Sequence, residues 1–169
     1  MPLVRDETLD LALAARPDAQ LDPAFAFRPL YRFAYVVVAR KGHLLRNARS
    51  LAQLANAEWI SFMPPRSSVR PLDRIFSSAG LPGPRQMVQC DSYNVALALL
   101  AKTDMLGLIS SWMLKESRAR DLLQQIAVTE PMPSYTVGIF TRMDPPLTPL
   151  AAALARALTA VARQLARSP

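Results

Sequence analysis

The sequence predicts an α/β fold, because apolar runs with strand character alternate with helical patterns in the middle of the chain. In three places an apolar run ends in serine or aspartate and a helical pattern begins directly after it, over residues 59–79, 87–101 and 106–116. Serine and aspartate are favoured helix N-caps, and such units in series place several helix N-termini at one edge of a sheet. Backbone N–H groups and the positive ends of helix dipoles lie there, so this edge suits an anionic ligand.

Other elements are predicted before this central part. Leu9–Ala15 is a short apolar run, which we interpret as a buried parallel strand. Residues 25–30 are extended, and Arg32–Arg40 is aromatic and β-branched, which is typical of a strand. Residues 50–55 predict a short helix, and Ser50 is its expected cap.

The C-terminal third predicts two extended runs at 123–128 and 134–142, followed by a long helix. Apolar residues of this helix recur at spacings of three and four, which predicts one apolar stripe that packs inward against a sheet. The stripe consists of Leu147, Leu150, Ala151, Leu154, Leu158, Val161 and Leu165.

Length and composition indicate a globular protein. The chain has 169 residues, of which 51% are hydrophobic, and this is enough for one domain or two small lobes. It contains no apolar run of about 18 residues that would cross a membrane, and its N-terminus does not resemble a signal peptide. The single Cys90 excludes an internal disulfide bond. We therefore expect a cytoplasmic location without membrane contact.

The charge of the chain is strongly basic. There are 20 basic and 13 acidic residues, giving a net charge of +7, and most of the basic residues are arginines. Such a balance can indicate nucleic acid, a membrane surface or anionic ligands as partners. The arginines are scattered, however, and no block of like charges occurs, which favours a solvated arginine-rich surface.

Residues that support catalysis or metal binding are scarce. His43 and Cys90 are the only histidine and cysteine, so the usual zinc sites are excluded. A Cys–His dyad has no supporting motif, and we interpret His43 as part of a turn and Cys90 as a core residue. Glycine-rich phosphate loops and nucleophile motifs are absent. The sequence thus provides no support for an enzyme, and no cofactor or metal is expected.

Several segments resemble LysR-type transcriptional regulators in their order and spacing. Residues 3–13 resemble the stretch L-x-x-G-x-L-D-hydrophobic-A of that family. Residues 27–45 are similar to its P-L … V-x-x-x-H-P-L strand, with Leu44 in place of the second proline. Residues 50–54 match the S-L-x-D-L helix, and residues 95–110 resemble the glycine-containing segment that follows.

The resemblance implies an effector-binding domain with a periplasmic-binding-protein-like (type II) fold, in which two crossing hinge strands join two α/β lobes. Lobe one is expected at 1–36 and 129–169, and lobe two at 37–128, with hinges near 36–38 and 128–131. The helix-turn-helix of the family is not matched in this chain. The first strand and helix of lobe one are also expected to be absent.

The resemblance also implies the function and the partners. A small organic anion, such as a carboxylate, is expected to bind between the lobes and to alter promoter DNA binding by the full-length protein. DNA contact is expected only through the absent N-terminal domain, and the domains are expected to form a homodimer or homotetramer. One alternative is a solute-binding protein of the same fold, and another is a small enzyme or a direct nucleic-acid binder.

A candidate effector site follows from the predicted sheet edge and the resemblance together. Ser67 and Ser68 are expected to hold the charged group of the ligand, and Arg66 or Arg16 to add a charge-assisted hydrogen bond. Aromatic side chains would contribute apolar surface. Each serine alternatively acts only as a helix cap. The predicted site comprises Ala15, Arg16, Phe62, Arg66, Ser67, Ser68, Ser92, Tyr93 and Ser110.

Overall fold

The chain forms two compact units. Unit 1 consists of residues 1–33 and 134–169, and unit 2 consists of residues 34–133. The computed structural model describes residues 1–16, 21–62, 71–116 and 118–165.

Helices and strands alternate through most of the chain. The helices are α1 (Pro2–Arg5), α2 (Pro71–Ser78), α3 (Tyr93–Lys102), α4 (Ser111–Glu116), α5 (Ala119–Leu122) and α6 (Pro149–Leu165). The strands are β1 (Leu11–Ala15), β2 (Phe25–Arg40), β3 (Glu58–Ser61), β4 (Gln86–Gln89), β5 (Leu106–Ser110), β6 (Leu123–Ile126) and β7 (Ser134–Arg142). Among the described helices, none has the length and hydropathy needed to cross a membrane.

The sheet of unit 1 contains β1, β7 and the first part of β2, in that order. β1 pairs antiparallel with β7, so that Leu13 lies opposite Ile139. The prediction of a buried parallel strand at Leu9–Ala15 is therefore wrong. Among the described residues, β1 ends the strand order and is paired with β7, and the Leu13 side chain is 50% exposed. Apolar residues on both faces of a strand suggested burial, but they do not determine strand direction.

Gly138 lets an aromatic ring lie directly on β7. A Cβ atom at this position would lie 2.4 Å from the carbonyl oxygen of Arg28 and 2.5 Å from the Phe27 ring. The Phe27 ring in turn packs on Phe140, with 4.7 Å between the ring centroids. A glycine is therefore required here by close approach, and not by backbone conformation.

Arg142 of β7 forms hydrogen bonds with the N-terminal segment. Its guanidinium donates hydrogen bonds to the carbonyl oxygens of Val4 (2.6 Å) and Leu9 (2.9 Å). The same group lies 3.8 Å from an Asp10 carboxylate oxygen, while the Asp10 side chain stays half exposed. Val4 is only 1% exposed, so α1 is packed as well as hydrogen-bonded.

The long C-terminal helix is confirmed as α6, but only part of its predicted apolar stripe faces inward: Ala151 is buried, and Leu147 and Leu158 are half-buried. Leu150, Leu154 and Val161 are half or more exposed. Among the described side chains of α6, the fully buried ones are three alanines: Ala151, which belongs to the predicted stripe, and Ala155 and Ala162, which do not. Both stripes follow helical spacing, so periodicity alone does not decide between them. Alanine permits a closer approach of the helix backbone to its neighbours, and Leu150, Leu154 and Val161 then point outward.

Unit 2 is built on the central strand–helix units that the sequence predicted. β3 pairs in parallel with both β4 and β5, and the second part of β2 pairs antiparallel with β5 and β6. α2 follows β3, α3 follows β4 and α4 follows β5, which confirms the predicted alternation in the described residues. The extended run at 123–128 is confirmed as β6.

The core of unit 2 contains large side chains on both sides of the sheet. Trp59 and Phe76 meet edge to face with 5.5 Å between their ring centroids, and both are fully buried. On the other side, the Leu100 side chain lies against Gly107, where an added Cβ would be 3.1 Å from a Leu100 methyl group. The helices are therefore held to the sheet by close packing of bulky residues.

The short helix predicted at 50–55 is a 3₁₀ turn at Ala52–Leu54, and Ser50 does not cap it through its side chain. The Gln53 carboxamide oxygen instead accepts a hydrogen bond from the Ser50 N–H (3.2 Å). The Glu130 carboxylate accepts one from the Leu51 N–H at 2.7 Å. The cap is thus supplied by a residue from a distant part of unit 2.

Candidate effector site

The carboxyl ends of three parallel strands form one edge of the unit 2 sheet. β3 ends at Ser61, β4 at Gln89 and β5 at Ser110, and the Cys90 N–H donates to the Ser61 carbonyl oxygen at 3.0 Å. Phe62 follows Ser61 at this edge and is half-buried. Ligands of open α/β sheets bind beyond the carboxyl ends of strands, so this edge is where a ligand is expected.

Ser92 caps α3 at this edge, as predicted. Its backbone is extended, and its hydroxyl oxygen accepts a hydrogen bond from the Val95 N–H at 3.5 Å. Its carbonyl oxygen accepts the Ala96 N–H at 3.0 Å, which is the first hydrogen bond of the helix. The first N–H groups of a helix have no partner within it, so a helix of this length has a site for negative charge at its start.

Ser110 caps α4 in the same manner. Its hydroxyl oxygen accepts a hydrogen bond from the Met113 N–H at 3.1 Å. A capping hydroxyl accepts with its oxygen and still has its own O–H to donate. Because α4 has only 6 residues, its dipole is a weaker attraction for an anion than that of α3.

Tyr93 places an aromatic ring and a buried hydroxyl at the start of α3. Its ring packs against Phe62, with 6.0 Å between the centroids and an angle of 37° between the planes. Within the described residues, the Tyr93 hydroxyl oxygen is buried and has no hydrogen-bond partner. A buried polar group without a partner costs free energy, so this hydroxyl is the most informative feature of the edge.

Ala15 and Arg16 lie in unit 1, at the carboxyl end of β1. The Arg16 N–H donates to the Thr136 carbonyl oxygen at 2.8 Å, and its guanidinium lies 5.7 Å from the centroid of the Phe27 ring. Ala15 is half-buried and pairs with Val137. The Arg16 side chain is exposed, so its charge is accessible to an anion.

The remaining predicted site residues lie outside the described part of the chain. They are Arg66, Ser67 and Ser68, which precede α2 in the sequence. Their assignment to an effector site stays a prediction.

The ring nitrogens of His43 and the thiol of Cys90 form hydrogen bonds with backbone groups. His43 is 2% exposed, its Nδ1 accepts from the Leu45 N–H at 3.0 Å, and its Nε2 lies 3.0 Å from the Asp104 carbonyl oxygen. This arrangement requires the proton on Nε2, and it occupies both ring nitrogens. The Cys90 thiol donates to the Ser92 carbonyl oxygen at 3.3 Å. In the described residues, groups of three or more possible metal ligands do not occur.

Two carboxyl groups with shifted pKa values lie in unit 1. The Thr8 N–H lowers the pKa of Asp6 below its usual value. The Ala24 N–H, and secondarily the Arg5 guanidinium, lower the pKa of Asp22. Both are exposed side chains that accept hydrogen bonds in turns. They therefore stabilise local structure and do not indicate acid–base chemistry.

The comparison with known families identifies the chain. The family model described as LysR substrate binding domain matches residues 1–163. The chain belongs to this family. The resemblance found in the sequence is thereby confirmed, and it extends over nearly the whole chain.

Curated relatives of the chain are transcriptional regulators. The chain is 31% identical over 127 residues to the HTH-type transcriptional regulator GalR of Pseudomonas putida, covering 75% of this chain and 32% of the relative. It is 31% identical over 173 residues to the HTH-type transcriptional regulator GbpR of Azospirillum brasilense, covering 93% of this chain and 47% of the relative. The chain therefore spans less than half the length of these relatives.

Solved structures confirm the fold class. The probable transcriptional regulator PA0477 of Pseudomonas aeruginosa has a TM-score of 0.76 at 20% identity, over 93% of this chain and 52% of that one. The regulatory domain of Synechocystis CcmR, in complex with 2-PG, has a TM-score of 0.72 at 17% identity, over 96% and 77%. The effector binding domain of QuiR, in complex with shikimate, has a TM-score of 0.71 at 16% identity, over 96% and 76%. The predicted periplasmic-binding-protein-like (type II) α/β fold is thus confirmed.

Sequence reasoning missed the hydroxyl of Tyr93. Tyrosine at the first position of α3 was expected to supply only apolar surface, and the burial of its oxygen depends on neighbours that folding brings together. The available signal was the choice of tyrosine over phenylalanine beside a capping serine. Sequence reasoning also missed that Cys90 bonds the Ser92 carbonyl, and this contact holds the same turn.

Proposed function

We propose that this chain senses a small organic anion for a transcriptional regulator in the cytoplasm. The anion binds between two lobes, formed by residues 1–36 with 129–169 and by residues 37–128. Binding alters how the full-length protein, as a homodimer or homotetramer, holds its promoter DNA. DNA contact belongs to a part of the protein outside this chain, and the chain carries out no chemical reaction. The family membership and the two regulator relatives support this role over that of a solute-binding protein.

The class of ligand is supported by two lines of argument. Shikimate, which is bound by the effector binding domain of QuiR, is a carboxylate. In this chain, the carboxyl edge of the unit 2 sheet carries the N-terminus of α3, capped by Ser92. An oxyanion there receives backbone N–H groups and the positive end of the helix dipole. We therefore propose a small carboxylate as the effector.

The observation on which the proposed site rests is the buried Tyr93 hydroxyl. It has no hydrogen-bond partner among the described residues, and it belongs to the first residue of α3. A carboxylate at this helix start would accept a hydrogen bond from it and remove the cost of its burial. Phe62, at 6.0 Å from the Tyr93 ring, would cover the apolar part of the ligand. The proposed site further includes Ser110, Arg16, Ala15, Arg66, Ser67 and Ser68.

The proposed response depends on differential binding. A ligand shifts the equilibrium between two lobe arrangements only to the extent that it binds one of them more tightly. Couplings of about 1–3 kcal/mol are typical of such regulation. We therefore propose that the anion binds one arrangement of the lobes more tightly than the other.

Thermal denaturation with a panel of small carboxylates, including shikimate, tests the proposal. A ligand at about 100 times its Kd raises the free energy of unfolding by about 2.7 kcal/mol, which gives a clear rise in Tm. Tyr93→Phe removes only the hydroxyl, so the affinity for the stabilising carboxylate should fall about tenfold. The Tm without ligand should stay equal or rise, because a buried unpartnered oxygen is removed. Tyr31→Phe, the same change in unit 1, is the matched control and should leave the affinity unchanged.

The possible outcomes distinguish an error in the proposed site from an error in the proposed function. If a carboxylate stabilises the chain equally well in the Tyr93→Phe variant, the sensing function stands but the site at α3 is wrong. A combined Arg66→Ala and Ser67→Ala variant then tests the start of α2. If no carboxylate of the panel shifts the Tm of the folded chain, the proposed class of effector is contradicted.

A further inference from the structure

Unit 2 has a surface loop at the edge of its sheet opposite the candidate effector site. β2 is antiparallel to β5, which is parallel to β3, so β2 ends at the edge where these parallel strands begin. The loop of residues 41–49 follows β2 there. The Lys41 N–H donates to the Leu122 carbonyl oxygen at 3.2 Å, so the end of α5 lies beside the loop. We call the exposed surface of residues 41–49 and 118–122 the basic edge.

Buried hydrogen bonds fix the shape of this loop. His43 is 2% exposed, and its two ring nitrogens bond the Leu45 N–H and the Asp104 carbonyl oxygen, each at 3.0 Å. The His43 N–H donates to the Arg40 carbonyl oxygen at 3.2 Å, and the Arg46 N–H donates to the His43 carbonyl oxygen at 3.1 Å. The backbone on either side of His43 is therefore held in one arrangement.

Leu44 is presented to solvent by this loop. Its side chain is 81% exposed, whereas its neighbour His43 is buried and Leu45 is half-buried against the core of unit 2. Leu122, whose carbonyl oxygen bonds Lys41, is 42% exposed. A single exposed leucine is common on protein surfaces. A leucine on a backbone that is already fixed, however, loses little conformational entropy when a partner covers it, so Leu44 suits the role of an apolar anchor.

The charged side chains of the basic edge are mostly cations. Within the part of the chain that the structure describes, Lys41 and Arg120 form no ion pair. The carboxylate of Asp104 is already bound by Arg40 at 2.7 Å, which leaves Asp121 as the exposed carboxylate of α5. The basic edge therefore has an excess of positive charge that is available to a partner. Its exposed cations are Lys41, Arg46, Arg49, Arg118 and Arg120.

We propose that the basic edge binds an acidic peptide segment of another protein. Carboxylates of the segment pair with Lys41 and Arg120, and an apolar side chain between them covers Leu44. Charge complementarity determines the class of partner, because like charges across an interface are costly. The exposed leucines favour a peptide over a nucleic acid, since phosphate groups would contact the cations and leave the leucines uncovered. The contact does not depend on the proposed effector, which binds at the opposite edge of the sheet.

The apolar anchor is tested with a short fluorescent peptide in which glutamates surround two leucines. Fluorescence anisotropy measures its Kd for the unmodified chain and for Leu44→Ser. The variant should raise the Kd about tenfold, because the apolar surface that the peptide covers is lost. Leu150→Ser is the matched control, since Leu150 is also 81% exposed but lies on α6 in unit 1, and it should leave the Kd unchanged. A peptide with serines in place of its leucines should bind about tenfold more weakly.

The charge complementarity is tested by reversing single cations. Lys41→Glu and Arg120→Glu should each raise the Kd of the peptide about tenfold at low salt, and less at high salt, where exposed charges are screened. Arg163→Glu changes the net charge by the same amount at an exposed position of α6, and it should have little effect. Circular dichroism of each variant verifies that unit 2 is folded.

Four results would overturn the proposal. The acidic peptide would not bind the unmodified chain, or Leu44→Ser would bind it as tightly as Leu150→Ser does. Duplex DNA would bind more tightly than the peptide and lose affinity in the Lys41→Glu variant, which would make the basic edge a nucleic-acid surface. Finally, Leu44→Ser would change the sedimentation coefficient of the chain, which would show that another copy of the chain covers this leucine.

Discussion

The helices α3 and α6 bury different kinds of side chain, although both are apolar along much of their length. α3 buries Leu97 and Leu100, and its Leu100 methyl groups approach Gly107 in the sheet. α6 buries Ala151 and Ala155, while Leu150 and Leu154 stay exposed. The difference shows that the amount of apolar surface on a helix does not decide which face is buried. Where small residues form a continuous stripe, close backbone approach can determine the buried face.

The largest expected effect comes from truncating a buried leucine of α3. Leu100→Ala should lower the free energy of unfolding by about 2–5 kcal/mol, because it removes a fully buried side chain and leaves a cavity. Leu154→Ala in α6 makes the same chemical change at an exposed position and should cost less than about 0.5 kcal/mol. Urea denaturation of both variants measures the two values. If both variants lost a similar amount of unfolding free energy, Leu154 would be packed in solution. The proposed difference between α3 and α6 would then be contradicted.

The second effect concerns the close approach at β7 in unit 1. Gly138→Ala should destabilise the chain by about 3 kcal/mol, since the new Cβ would meet the Arg28 carbonyl oxygen, which cannot rotate away. Gly83→Ala is the matched control, because an added Cβ there meets nothing within 4 Å. It should be neutral or slightly stabilising. Thermal and urea denaturation measure the stabilities of the two variants. A Gly138→Ala chain as stable as the control would mean that the Arg28 carbonyl oxygen does not lie this close to β7.

The smallest effect tests the alanine stripe of α6 directly. Ala155→Leu enlarges a buried residue and should cost about 2 kcal/mol through overpacking. Ala157→Leu adds the same atoms at an exposed position of the same helix and should change stability by less than about 0.5 kcal/mol. If the two variants had equal stability, or if Ala155→Leu were the more stable, the alanine stripe would not be the buried face.

Local patterns of the sequence predicted the centre of the fold well. The three strand–helix units and the strand at Ser134–Arg142 are confirmed, because each depends on residues that are close together in sequence. Partners far apart in sequence could not be predicted. The direction of β1 depends on its pairing with β7, where Leu13 meets Ile139. The cap of the 3₁₀ turn is Glu130, which lies 79 residues beyond Leu51.

The candidate site was predictable to a smaller extent. Ser92 and Ser110 could be recognised as caps because N-capping is a local property, and both cap in the structure. The Tyr93 hydroxyl could not, since its burial depends on how β3 and α3 pack together. A capping pattern thus locates the edge of a sheet, and tertiary packing determines which polar groups there are left for a ligand.

The division of the chain into units has a consequence for the order of folding. Unit 2 is continuous in sequence, whereas unit 1 is made from two segments on either side of it. During synthesis, the turn at Arg49–Leu51 gains its partners only when Thr129 and Glu130, near the end of unit 2, have been made, because they bind it through backbone and side-chain hydrogen bonds. β1 cannot form its strand pair until β7 has emerged from the ribosome, and β7 emerges only after the whole of unit 2. The nascent chain therefore exposes β1, with its apolar residues, until β7 has been synthesised.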